Sequence, residues 1–273
     1  MIEKTLRAMG LIGMTAALSI AAMPAPMAAE SEDPWTALAR DVFNGRPLAD
    51  GKGLIAVEMP DRAEDAGIVP VTLRATLPPD DTRVVKAFTL VIDENPAPVA
   101  ATFKVGSGLS MISTRVRVNA YTDIHAVAEL SDGQLYVVDT YVKASGGCSA
   151  PMAKNPEEAK VTLGLMRFRQ FAAPKATPAS SPREAQIMIR HPNNSGLQRD
   201  QVSLLYIPLF IVRELRVWQG DQLVLEMDGG ISISEDPNIR FSYRPNGATT
   251  FRAEAVDTDG HVFKGEWAVE PAT

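Results

Sequence analysis

The 273-residue sequence contains one cysteine and three histidines, which restricts the chemistry that the chain can carry. A metal site needs several His, Cys or carboxylate ligands close together. His125, His191 and His261 are far apart in the sequence, and none has a second ligand residue at a metal-binding spacing. We therefore predict that the chain binds no metal ion and no other cofactor, and that its histidines are structural or face solvent.

Several functional motifs are also missing. The sequence has no Gly-x-Ser-x-Gly elbow, no phosphate-binding loop and no dinucleotide fingerprint between a strand and a helix. The formal net charge of −6 argues against nucleic acid as a partner, because binding to phosphates needs a basic surface. We predict that the chain is not an enzyme and binds no nucleic acid.

Residues 1–29 resemble a secretory signal peptide. Lys4 and Arg7 precede an apolar run at residues 11–23, and Met27-Ala28-Ala29 provides a small-residue cleavage site. The segment has no adjacent arginine pair, which favours export by the Sec route. We expect a periplasmic mature protein with no membrane segment after cleavage, since no other apolar run is long enough to span a bilayer.

The remaining sequence has the pattern of a mostly β protein with one N-terminal amphipathic helix. Asp33 and Pro34 predict the start of that helix, and Asn44-Gly45 its end. Alternating apolar and polar residues predict strands in two groups, which indicate antiparallel β-sandwiches. The first group is 54–59, 69–77, 84–92, 99–105, 111–120, 125–130 and 135–142; the second is 184–190, 210–219, 222–227, 238–243, 249–256 and 262–269.

These patterns divide the chain into four parts. After the signal peptide come a sandwich domain at 30–143, an arm and linker at 144–182, and a second sandwich domain at 183–273. Residues 161–171 are apolar-rich with mixed periodicity, so they fit either a short helix or a further strand. Residues 172–182 are rich in Pro, Ala, Ser and Thr, which is typical of a linker between domains.

The arm contains the only cysteine, Cys148, directly after Gly146 and Gly147. Two glycines leave the backbone unrestrained, so we expect the thiol to be exposed and mobile, about 16 Å beyond the strand end when extended. An unpaired cysteine in an exported protein indicates a reactive thiol or a bond between molecules. An exposed thiolate can attack sulfane or disulfide sulfur and carry the product. A chance surface cysteine and a disulfide-linked dimer remain alternatives.

The two groups of strands carry motifs that resemble SoxY and SoxZ, the subunits of a sulfur-oxidation carrier. The SoxY-like motifs are Ile68-Val69-Pro70-Val71, Asn95-Pro96-Ala97-Pro98, Thr114-Arg115-Val116-Arg117, Ala126-Val127-Ala128-Glu129, Ser131-Asp132-Gly133 and Gly146-Gly147-Cys148. The SoxZ-like motifs are residues 189–196, Ile207-Pro208 and residues 232–241 with Glu235-Asp236-Pro237. They occur in the right order over nearly the whole mature chain.

This resemblance implies two immunoglobulin-like sandwiches that pack together, with Cys148 as the covalent attachment residue for a sulfur intermediate. It also implies that Gly146 and Gly147 form the hinge of a swinging arm. The implied partners are periplasmic oxidoreductases, including Sox-type haem enzymes. The chain departs from the family pattern because its two parts are fused and because Ser149-Ala150-Pro151 replaces terminal glycines.

Fused SoxYZ-like chains also resemble a group that is associated with periplasmic quinoprotein (PQQ-type) alcohol dehydrogenases. In this alternative the chain is a non-catalytic adaptor of the dehydrogenase or its cytochrome, and Cys148 is incidental.

Overall fold

The computed structural model of the chain describes residues 33–106, 109–151, 156–172 and 181–270. The predicted signal peptide (1–29) and residues 173–180 of the predicted linker lie outside the described residues. The described residues from 34 onward belong to a single compact unit. No helix in the described ranges is long and apolar enough to cross a membrane.

Helix α1 spans Pro34–Val42, which confirms the predicted start. Its apolar face packs on one side of a sheet, where Phe43 and the helix residue Ala39 are buried beside Val91 and Val127. Trp35 stacks on the His125 ring, with ring centroids 3.6 Å apart. The helix therefore covers the outer face of the sheet, as its amphipathic pattern predicts.

The described residues form fifteen strands and a second short helix. The strands are β1 Leu48–Asp50, β2 Ile55–Glu58, β3 Val69–Ala75, β4 Val85–Ile92, β5 Val99–Val105, β6 Met111–Val116, β7 Thr122–Leu130, β8 Leu135–Val142, β9 Met166–Phe171, β10 Arg183–Ile189, β11 Val212–Gln219, β12 Gln222–Gly229, β13 Asn238–Tyr243, β14 Thr250–Asp257 and β15 Val262–Ala268. Helix α2 is Pro156–Thr162. The ambiguous stretch at 161–171 thus contains the end of a helix and then a strand.

The strands form two sheets, and each sheet contains strands from both halves of the chain. The nine-stranded sheet has the order β1-β8-β7-β4-β5-β12-β11-β14-β15, and the six-stranded sheet has the order β2-β3-β6-β13-β10-β9. Every predicted strand overlaps an observed one, so the mostly β sandwich is confirmed. One pairing differs from the antiparallel prediction, because β1 pairs with β8 in parallel.

The two halves meet where β5 pairs with β12 and where β6 pairs with β13. The first ladder runs from Val105↔Leu225 to Ala101↔Gly229, and the second includes Ile112↔Phe241. One core of buried apolar side chains, including Phe103 and Met227, continues across the join. Burial of apolar surface in this core stabilises the folded chain by about 25 cal/mol for each Å² removed from water. We call these two ladders with their core the sheet joint.

Candidate functional site

Cys148 lies in a short 3-10 turn, Gly147–Ser149, that follows β8. Its side chain is fully buried, with 0% of its surface exposed. The prediction of an exposed thiol is therefore wrong for this conformation. We call residues 146–150 the cysteine turn.

The two glycines explain how the cysteine turn becomes buried. The N–H of Gly146 donates to Asn119 O at 2.8 Å, and the N–H of Gly147 donates to Val118 O at 2.9 Å. A Cβ on Gly147 would lie only 2.0 Å from Ala66 O, so no other residue fits this close approach. Gly146 has a φ of +78°, which a glycine adopts without strain. In the buried turn the glycines allow tight packing.

The second half of the chain holds the cysteine turn from the other side. Residues 191–198, which we call the receiving segment, follow β10 and are mostly buried. The hydroxyl of Ser195 donates to Cys148 O, and the amide of Gln198 donates from Nε2 to Ala150 O at 2.9 Å. The Ser195 N–H in turn donates to Gln198 Oε1 at 3.0 Å, which orients the amide. Side chains of the receiving segment thus donate hydrogen bonds to backbone carbonyls of the cysteine turn.

Arg117 lies beneath the same turn and is the largest fully buried side chain, with 2% of the residue exposed. Its Nη1 donates to Gly147 O and its Nη2 to Asn193 O, each at 3.3 Å. Asn193 is fixed by further bonds, from its Nδ2 to Ile233 O and from the Val212 N–H to its Oδ1. One guanidinium therefore connects the cysteine turn to the receiving segment.

The surroundings of the thiol determine its charge. Burial raises the pKa of Cys148 to about 11, and the positive charge of Arg117 opposes this rise. Burial also lowers the pKa of the Arg117 guanidinium, while negative charge on Cys148 would raise it. The thiol is thus protonated at neutral pH in this position. Because the thiolate is the nucleophile, Cys148 is unreactive while the turn is buried.

Sequence reasoning found Cys148, Gly146 and Gly147, and the structure places all three in the cysteine turn. The cation that acts on the thiol is Arg117. Arg117 and Ser195 do occur in the quoted motifs, whereas Gln198 carried no signal.

The histidines have structural environments. His125 Nε2 lies 3.1 Å from Asp93 Oδ2, and His261 Nδ1 lies 2.7 Å from Asp257 Oδ2. His191 is buried beside Asp257, and burial lowers its pKa. Within the described part of the chain, no group of three or more His, Cys, Asp or Glu side chains is arranged to hold a metal ion.

Comparisons with known families agree with the two halves. The family described as Sulfur oxidation protein SoxY matches residues 39–148, and the family described as Sulphur oxidation protein SoxZ matches residues 171–268. The first match thus ends at Cys148. No curated protein matches the sequence.

Solved structures include similar chains. The sulfur carrier protein SoxY from Chlorobium limicola f thiosulfatophilum is 22% identical, with a TM-score of 0.35; the match covers 41% of this chain and 91% of that one. A superoxide reductase (neelaredoxin) from Ignicoccus hospitalis is 11% identical, with a TM-score of 0.29, over 33% of this chain and 78% of that one.

Proposed function

The chain belongs to the SoxY and SoxZ families, as a SoxY domain fused to a SoxZ domain, and we propose that it holds a sulfur-containing intermediate covalently on Cys148. SoxYZ is a non-catalytic sulfur carrier complex, in agreement with the prediction that this chain is not an enzyme. In the fused chain the pairing of the two domains is intramolecular. The observation that carries the proposal is the position of the only cysteine, at the end of the SoxY match.

Loading requires the cysteine turn to leave its buried position, because the thiol is neither exposed nor ionised there. Support for such a release comes from the contacts. The turn is held by a small number of hydrogen bonds, each of which contributes only about 0.5–1.5 kcal/mol net. In the released state the thiol is hydrated, so its pKa falls back toward the ordinary range. We propose that Gly146 and Gly147 are the hinge for this movement.

The chemistry of loading follows from the released thiolate. It attacks the outer sulfur of a partner's persulfide, the donor S–S bond breaks, and the partner leaves as a thiolate. Cys148 then carries the persulfide, with no net oxidation. Conjugation of thiosulfate would instead form a new S–S bond and release two electrons, which an oxidising haem partner would accept.

We also propose where the chain works in the cell and how it is divided into domains. Residues 1–29 act as a Sec signal peptide, and the mature protein works in the periplasm with oxidoreductases as partners. Residues 30–143 and 183–273 are the SoxY-like and SoxZ-like domains, and residues 144–182 form the arm and linker. The arm is attached at both ends, to β8 before the cysteine turn and to α2 after it.

The direct test is the intact mass of the protein isolated from periplasm without reductant. We expect adducts of one or more sulfur atoms, or of a thiosulfonate, that a reductant removes and that Cys148→Ser lacks. In a reconstituted assay with partner enzymes, Cys148→Ser should have no carrier activity while its Tm is retained. Full activity of Cys148→Ser in that assay would exclude the carrier function.

A second candidate function is favoured by the burial of Cys148, which is also what a purely structural cysteine would show. In this case the chain is an adaptor that binds a quinoprotein dehydrogenase or its cytochrome. Affinity capture from periplasm with wild type and with Cys148→Ala distinguishes the two. Equal recovery of such a dehydrogenase, together with a thiol that is bare under all growth conditions, would support the adaptor and contradict the carrier.

A further inference from the structure

Arg117 carries a buried positive charge that lacks a direct counter-ion. Among the described residues, no carboxylate lies within ion-pair distance of its guanidinium, and its Nε has no hydrogen-bond partner. The two bonds that it makes, at 3.3 Å, are long and end on neutral carbonyl oxygens. Burying an unpaired charge is costly, so such a group is stabilised by any anion that can reach it.

Among ionisable groups, Cys148 has the largest charge effect on the pKa of Arg117. The carboxylates of Glu235 and Asp65 follow. Asp65 already accepts the Gly67 N–H at 2.7 Å through Oδ1. Because burial keeps the Cys148 thiol neutral, these two carboxylates are the negative groups that act on the cation, and neither forms an ion pair with it among the described residues. An anion at the cysteine turn would therefore add to the balance of the Arg117 charge.

Gly67 lies between the guanidinium and the cysteine turn. A Cβ placed on Gly67 would lie 3.8 Å from Arg117 Nη1, 3.4 Å from Ala150 Cβ and 3.2 Å from Asp65 Oδ1. Because this residue is a glycine, it places no side chain between Arg117 and residue 150 of the turn. The planar donors of a guanidinium match the oxygens of a sulfonate as they match those of a carboxylate or phosphate.

We propose that Arg117 binds the negatively charged end of the group carried on Cys148, so that an anionic cargo holds the turn in its buried position more strongly than a neutral one. The ligand class is an S-linked sulfonate or persulfide anion. This inference rests on the proposed carrier function for its biological meaning, but its physical content concerns any anionic adduct of Cys148. Arg117 thereby couples the charge of the cargo to its exposure.

A purely structural role for Arg117 is the competing explanation, since the guanidinium already links Gly147 O to Asn193 O. Such a link stabilises the turn equally for every cargo of similar size. Only the proposed anion binding makes the stability of the buried turn depend on the charge of the adduct. The test therefore compares two adducts on the same protein.

The adducts can be made on purified full-length protein with two reagents, each of which is itself the two-electron oxidant of the thiol. Attack of the Cys148 thiolate on tetrathionate forms Cys148–S–S–SO₃⁻ and expels thiosulfate. Attack on methyl methanethiosulfonate forms the neutral Cys148–S–S–CH₃ and expels methanesulfinate. Each adduct is then removed with a phosphine reductant, and the rate of removal is measured in native and in urea-unfolded protein. The rate in unfolded protein divided by the rate in native protein is the protection factor.

We expect the protection factor of the anionic adduct to exceed that of the neutral adduct by at least about tenfold in wild type, an advantage of about 1.4 kcal/mol. In Arg117→Gln the two factors should become equal. The matched control is Arg115→Gln, because the Arg115 guanidinium donates to Asp236 O instead of to the cysteine turn. This variant should keep the tenfold difference.

Equal protection of both adducts in wild type, or a difference that persists in Arg117→Gln, would overturn the proposal. If Arg117→Gln does not fold, the wild-type comparison still decides, with Tm as a second readout that should be higher for the anionic adduct. Because the adducts are made chemically, the result does not depend on whether cells load Cys148. Failure of the carrier function would appear instead in the mass of the periplasmic protein.

Discussion

Two of the places where the halves of the chain meet differ in kind. The sheet joint consists of backbone ladders, β5 with β12 and β6 with β13, over a continuous apolar core. At the cysteine turn the halves meet through side-chain hydrogen bonds to backbone carbonyls, from Ser195 and Gln198 to the turn and from Arg117 to Asn193 O. We expect the first kind of contact to open only when the sheets unfold, and we propose that the second opens alone.

Under the proposed function, this difference gives the fused chain a permanent body and an arm that is released reversibly. In the sheet joint, hydrophobic burial and ladder bonds act together over many residues. At the cysteine turn, water can replace each hydrogen bond once the turn is released, so each bond opposes release by only about 0.5–1.5 kcal/mol. The following predictions separate the two places experimentally.

The largest effect is expected from Phe103→Ala in the sheet joint. Phe103 is fully buried in β5 opposite Met227 of β12, so its removal leaves a cavity in the shared core. We expect the free energy of unfolding, measured with urea, to fall by about 3–5 kcal/mol. The control is Lys104→Ala on the exposed face of the same strand, which should change it by no more than about 1 kcal/mol. Similar losses for both variants would show that the joint is not a packed core.

Gly147→Ala should release the cysteine turn without weakening the sheet joint. The added Cβ would overlap Ala66 O at 2.0 Å, so the turn cannot occupy its buried position. We expect the rate of Cys148 alkylation in native protein to rise by about 100-fold or more.

Gly146→Ala is the matched control for this change. Its Cβ meets no atom within 4 Å, and only the φ of +78° opposes it, at a cost of about 1 kcal/mol. Alkylation should rise far less than in Gly147→Ala. Equal rates in the two variants would contradict the packing explanation.

The pH dependence of stability should show the burial of the thiol. The pKa of Cys148 rises from 9.0 to about 11 on folding, so above pH 9 the unfolded chain loses a proton that the folded chain keeps. Stability is therefore lost as pH rises through this window, by about 1.4 kcal/mol between pH 8 and pH 10. Cys148→Ala should lack this part of the loss in urea titrations. Identical profiles would mean that the thiol is not buried in solution.

The smallest effects are expected from the receiving segment. Ser195→Ala and Gln198→Ala each remove one side-chain bond to the cysteine turn. We expect each to raise the alkylation rate of Cys148 by about three- to tenfold. Ser203→Ala serves as the control, because the Ser203 hydroxyl bonds only within its own loop, to Asp200 Oδ1 and to the Leu205 N–H. A change in Ser203→Ala as large as in the other two would remove the basis for a specific contact.

Much of the fold follows from local patterns. The Pro34 start of α1 and the strands of both halves were predicted because alternation and turn residues are local signals. The pairing of β5 with β12 was not predicted, because nothing in the sequence of either strand identifies the strand that it pairs with in the other half. Domain boundaries at 143 and 183 stay predictions, although both sheets contain strands from either side of them.

The burial of Cys148 was missed for a related reason. Two glycines before a cysteine look like a loose arm in the sequence, but here Gly147 allows contact with Ala66 O, which is remote in the chain. The bonds from Ser195 and Gln198 come from the other half. Such contacts depend on tertiary structure, and the composition of a segment does not encode them.

The most direct test of a reversible cysteine turn on a permanent body is the alkylation of Cys148 across low urea concentrations. The free energy of exposing the thiol is obtained from the labelling rate and compared with the free energy of global unfolding. We predict that exposure requires less free energy than unfolding and depends only weakly on urea, because little surface opens with the turn. An exposure free energy equal to that of unfolding, with the same urea dependence, would contradict this and leave Cys148 as a structural residue.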